Sequence, residues 1–189
     1  MKRLIQTVLS ATALLFATAC SSDDSIRLAT DQSVQQFEAA GVQGMHNDAL
    51  FAAEAASASM LEVQLGEAAQ GMAVSPEVKD LAQEMQRDHQ QMLNDLKQIA
   101  TEGDFVLPSS LGTRHQEIYQ EITAKSGIAF DLAYVKRLVD QHKELIERYE
   151  DIAKNGKVMG LQQYASKQLP LLRQHQKMVE ELEDKIENA

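Results

Sequence analysis

Long runs without a helix breaker constrain this chain more than any other feature. Its 189 residues contain only three prolines and nine glycines. The breakers fall between stretches in which apolar residues recur every three to four positions, the spacing that puts them on one face of a helix. A first long helix is expected from Asn47 or Asp48 to about Gln70, ended by Gly71. A second starts after Ser75, with Pro76 at the first helical position and Glu77 in the first turn, and stops near Thr101 before Gly103. A connector, DFVLPSSLGTR, carries Pro108 and Gly112, and a short helix follows over about Thr113 to Lys125. Two more long helices are expected, Ile128 to Lys154 and Val158 to Glu187, separated by Asn155-Gly156. No segment alternates as a strand does.

Four long helices with two short turns imply two helical hairpins. The expected fold is all-α: an up-down four-helix bundle, with the short extra helix in the long connection between the second and third long helices. An apolar fraction of 44% supplies its core, and plentiful Ala, Leu, Met, Glu and Gln suit helices. Pro170 lies inside the last helix, where it removes a backbone bond and clashes with the Ser166 carbonyl, so a bend is expected there.

The N-terminus reads differently. Lys2 and Arg3 precede a mostly apolar run, Leu4 to Ala19, too short for a comfortable membrane span. The run ends at FATAC, whose Cys20 is the single cysteine. That order resembles a bacterial lipoprotein signal, in which the cysteine is lipidated and becomes the mature N-terminus. Residues 1–19 are therefore expected to be a signal peptide, 20–46 a lipidated Cys20 and polar tether, and 47–189 the bundle domain. A short helix within the tether, near Gln32 to Ala40, is compatible with the pattern. The expected partner is a membrane, held through the lipid anchor on the periplasmic side of the envelope. By resemblance to enterobacterial sorting, Ser21 rather than Asp after the cysteine implies the outer membrane. Removing Lys2 and Arg3 from the 18 basic residues leaves 16 against 28 acidic ones, a net charge of −12. Such a surface excludes nucleic acid and anionic lipid as charge-driven partners.

Three segments align on a histidine: MQRDHQQML, LVDQHKELI and LLRQHQKMV. Each has an apolar residue four before the histidine and two apolar residues three and four after it, so His89, His142 and His175 lie on the buried stripes of three helices. All three fall within a turn of mid-helix, and mid-helix positions of a bundle share one layer. Glu62 lies at the same depth of the first long helix. Imidazoles and a carboxylate together suit Zn, Cu or Fe, with His89, His142 and His175 as ligands and Glu62 as a fourth. Asp88 and Asp140 are candidates to orient an imidazole through its other nitrogen. The alternative is a hydrogen-bonded imidazole network without metal, in a non-catalytic structural or interaction module of the envelope. Met60, Met85, Met92 and Met178 fit core filling better than copper ligation. His46 and His115 receive no role. No Glu-x-x-His pair occurs, which argues against a carboxylate-bridged di-iron enzyme. No motif names a catalytic residue or a protein partner.

In order along the chain, MLEVQLGEAA, VKDLAQEMQRDH, LPSSLGTRHQ, SGIAFDLAYV, QHKELIERYE and YASKQLPLLRQH resemble domain-of-unknown-function family 4142 over about Ala49 to Val179. The resemblance implies a ferritin-like bundle in an exported bacterial protein. Glu62, Asp88, His89, His142, Leu169-Pro170 and His175 carry the family pattern, whereas Asp140 falls where that pattern is not clearly acidic. The resemblance implies no activity.

Overall fold

The computed structural model describes residues 24–188, so the expected signal segment and Cys20 lie outside the described residues. Among the described residues six helices follow one another: α1 (Ser25–Ala39), α2 (His46–Met72), α3 (Pro76–Glu102), α4 (Thr113–Thr123), α5 (Ile128–Asn155) and α6 (Met159–Glu187). Among the described residues there is no strand.

The closest-packed pairs are α2 with α3 and α5 with α6, the two expected hairpins. The hairpins meet through α3 on α6 and α2 on α5. Each hairpin turn is fastened by a buried aspartate from the other hairpin. Asp131 of α5 accepts the amides of Val74 and Ser75, and Asp48 of α2 accepts those of Lys157 and Val158. These bonds satisfy amides that would otherwise be orphaned at helix ends. Ser75 caps α3 by accepting the Val78 amide, and Gly127, at φ +60°, turns the chain into α5. The α2–α3 approach depends on Gly66: a Cβ there would lie 2.8 Å from both the Ala82 carbonyl oxygen and the Gln86 Cβ.

The core divides into two apolar clusters. One joins the start of α2 with the ends of α3 and α5 and the start of α6, around Phe51, Leu96, Tyr149 and Leu161. The other joins the opposite ends, around Leu65, Met85, Tyr134 and Val179. It follows that α3 and α5 run parallel, because the chain between them returns along the whole bundle through α4. A single long crossover of this kind is the connectivity of ferritin-like bundles. Helix α6 continues through Pro170.

In the segment read as a polar tether, the short helix allowed near Gln32 to Ala40 is longer and docked. From residue 25 it is a fifteen-residue helix, α1, packed along α2. Asp24 caps it by accepting the Ile26 and Arg27 amides and also accepts the Thr113 amide at 2.8 Å, tying α1 to the start of α4. Ser33 accepts the Val106 amide at 2.9 Å, and Phe37 packs edge-on against Phe105. Its polar outer face hid its extent, because only a narrow strip (Ala29, Thr30, Ser33) is buried. The clue lay in α2, whose run of alanines is buried on nearly every side. A helix apolar all round needs more neighbours than two.

Candidate metal centre

Between the two apolar clusters lies a polar layer. Helices α3, α5 and α6 bring His89, His142 and His175 to the bundle axis, and all three are fully buried. Their ring centroids are 5.3, 5.5 and 5.6 Å apart, a near-equilateral triangle. One ring nitrogen from each lies within 4.8 Å of the other two. His142 Nε2 is 3.5 Å from His89 Nε2 and 3.3 Å from His175 Nδ1.

The outer partners fix which nitrogens carry protons. His142 Nδ1 lies 2.9 Å from the Leu138 carbonyl oxygen, which only accepts, so the ring proton sits on Nδ1 and Nε2 presents a lone pair. His175 Nε2 lies 3.1 Å from Asp88 Oδ2, so its proton faces the carboxylate and Nδ1 presents a lone pair. These two lone pairs face each other at 3.3 Å. His89 Nε2 completes the triangle, and its Nδ1 is buried without a partner.

A proton shared among the rings is disfavoured. Burial, reinforced by the neighbouring imidazoles, pushes His89 well below the ordinary histidine value. Burial and His175 bring His142 down to about 3. Burial also lowers His175, partly offset by Asp88. Partial burial works against the Asp88 carboxylate, but hydrogen bonds from Arg87 and His175 outweigh it and hold its pKa below the usual range. At neutral pH the layer is three uncharged rings, with inward lone pairs on His142 and His175, and one outward anion. For metal–nitrogen bonds of about 2.05 Å, tetrahedral ligands are separated by roughly 3.3 Å and trigonal ones by roughly 3.6 Å. The two separations fall in that span.

The remaining candidates separate. Asp88 lies behind His175, in position to orient it. Glu62 is fully buried on α2 but does not join the histidine group. Its electrostatic neighbours are Tyr134 and Arg137, eight and five residues before His142 on α5. At 1.5 Å per residue that is roughly 12 and 8 Å along the helix axis. Glu62 is thus corrected from fourth ligand to an isolated buried carboxyl. Neither of its oxygens has a partner, and burial raises its pKa to about 8. Asp140 is also corrected: it is exposed, and two residues from His142 place it roughly 200° around the helix from that ring.

A family model described as Domain of unknown function (DUF4142) matches residues 32–182. The chain belongs to the DUF4142 family. No curated protein and no solved structure matched the sequence. The DUF4142 match begins inside α1, so the docked helix is partly within the family region.

Sequence reasoning missed one polar pair in this DUF4142 chain. His115 Nδ1 lies 2.7 Å from the buried Ser57 Oγ, which also accepts the Gly112 amide at 2.8 Å. Burial, helped by Arg137 and Arg114, lowers the His115 pKa to about 4. The signal was present, because His115, Ile118, Tyr119 and Ile122 share one face of α4.

Proposed function

We propose that this DUF4142 protein binds one transition-metal ion, Zn, Cu or Fe, through His89 Nε2, His142 Nε2 and His175 Nδ1. The observation that carries this reading is the pair of fixed tautomers. The Leu138 carbonyl and the Asp88 carboxylate take the outer protons, so the inner nitrogens meet lone pair to lone pair at 3.3 Å. Such an arrangement is electrostatically poor when empty and well matched to a cation. Full burial of the three rings favours holding an ion over turning over a substrate.

The order of Lys2-Arg3, apolar run and Cys20 supports export and lipid anchoring of the same protein, on the periplasmic side of the outer membrane. The intact-mass test is direct: Cys20 should carry lipid in the membrane fraction, and Cys20→Ser should release the protein from it.

For the metal, the purified signal-free protein is loaded separately with Zn(II), Cu(II) and Fe(II), desalted and analysed by elemental mass spectrometry. One equivalent of at least one metal is expected, lost in the triple His→Ala variant. Asp88→Asn should weaken binding roughly 10- to 100-fold. Trace metal that is unchanged in the triple variant would overturn the proposal and favour the metal-free imidazole network of an envelope structural module.

A further inference from the structure

Residues of α1, α2, α4 and α5 line an open-sided cavity of about 280 Å³. This is near the lower end of the roughly 300–1,000 Å³ typical of small-molecule sites. Its apolar wall includes Phe51, Leu145 and Tyr149. Its polar end carries two arginines that share one carboxylate. Arg114 and Arg137 both bind the one carboxylate of Glu144, at 3.0 and 3.3 Å. Asp24, the nearby acid, is taken up by the amides of Ile26, Arg27 and Thr113. Glu144 is thus shared by two guanidinium groups, and the hydrogen-bonding capacity of Asp24 is spent on backbone amides. At the far end Arg148 is already satisfied by Glu54 and Asp151.

Gln141 supplies the second, independent observation. It lines the cavity and is only 2% exposed. Its Oε1 accepts from Arg137 Nε at 3.0 Å, while its Nε2 is buried with no partner. A buried amide donor without an acceptor is costly. His115 adds another donor. The buried Ser57 hydroxyl already accepts the Gly112 amide, so its own hydrogen is satisfied by donating to His115 Nδ1, which leaves the ring proton on Nε2. At the polar end the donors of Arg114, Arg137, Gln141 and His115 outnumber the acceptor oxygens of the one carboxylate there, Glu144.

We propose that this cavity binds a small organic carboxylate, its anionic end received by Arg137, Arg114 and the Gln141 amide and its apolar or aromatic body lying against Phe51, Leu145 and Tyr149. The metal layer is not required for it. The test uses benzoate and hexanoate, with benzyl alcohol as the uncharged counterpart, titrated into the protein while the Gln141 side-chain amide is followed by ¹H–¹⁵N NMR. Saturable shifts of that amide are expected with at least one acid. Benzyl alcohol should bind about tenfold or more weakly than benzoate, the loss of a charge-assisted hydrogen bond. Gln141→Leu, followed through the backbone amides of cavity-lining residues such as Leu145, should weaken acid binding by a similar factor. Glu144→Gln, at a half-exposed position, frees both arginines and should tighten it. No saturable binding of either acid to the wild type and to Glu144→Gln overturns the proposal. So does benzyl alcohol binding as tightly as benzoate.

Discussion

Glu62→Gln gives a quantitative test of how the bundle interior treats charge. Glu62 is fully buried on α2, and neither carboxylate oxygen has a partner. Burial raises its pKa from 4.5 to about 8, the Arg137 charge opposing the rise. The folded state therefore binds the Glu62 proton more tightly than the unfolded chain. Its contribution is fully present below pH 4.5 and is lost as pH rises through about 8. At 1.36 kcal/mol per pH unit, the loss is about 3 kcal/mol by pH 7 and about 5 kcal/mol above pH 8. Glutamine keeps the shape and stays neutral, so any cost of its unpaired amide is independent of pH. The histidines titrate in both proteins and cancel in the difference. Urea denaturation of metal-free wild type and Glu62→Gln at pH 5, 6, 7 and 8 should show the variant gaining on the wild type by about 1.4 kcal/mol per pH unit across pH 5–8. A constant difference over that range would refute the reasoning, because it would mean that Glu62 has the same pKa folded and unfolded.

Two further outcomes follow from the packing and the buried rings. Gly66→Ala places a methyl 2.8 Å from the Ala82 carbonyl oxygen and should cost about 1–3 kcal/mol, read as a lowered melting temperature. In the metal-free protein, His89, His142 and His175 all have pKa values below the ordinary 6.5, so the unfolded chain takes up protons that the folded one refuses. Their stabilisation is intact above pH 6.5 and falls as pH drops below it, by up to about 4 kcal/mol per pH unit for three groups. Acid unfolding that occurs at the same pH in the triple His→Ala variant would contradict this.

Much of the molecule could be read from residue spacing. The helical runs, their breakers and the Ser75-Pro76 start are local properties. Local rules fix them because an apolar stripe at helical spacing must be buried and because proline and glycine interrupt the backbone pattern. The depth of His89, His142 and His175 followed from counting along helices of similar length. That Asp88 approaches His175, and that Asp140 does not approach any ring, depended on helix rotation. A residue's axial height is set by its number, but its azimuth is set by packing. Glu62 illustrates a related limit: its place on a buried helix was legible, its isolation from the histidines was not.

The sequence by itself determined an all-α chain with three histidines on buried stripes, because helical periodicity is written in nearest neighbours. Only the tertiary structure decided that α1 docks on α2, that the long crossover sets α3 parallel to α5, and that the inner imidazole nitrogens face one another. Those outcomes depend on which partners occupy the other side of each contact. The Leu138 carbonyl, the Asp88 carboxylate, and the meeting of Gln141 with Arg137 above an apolar wall gain their chemical meaning only when four helices close around them.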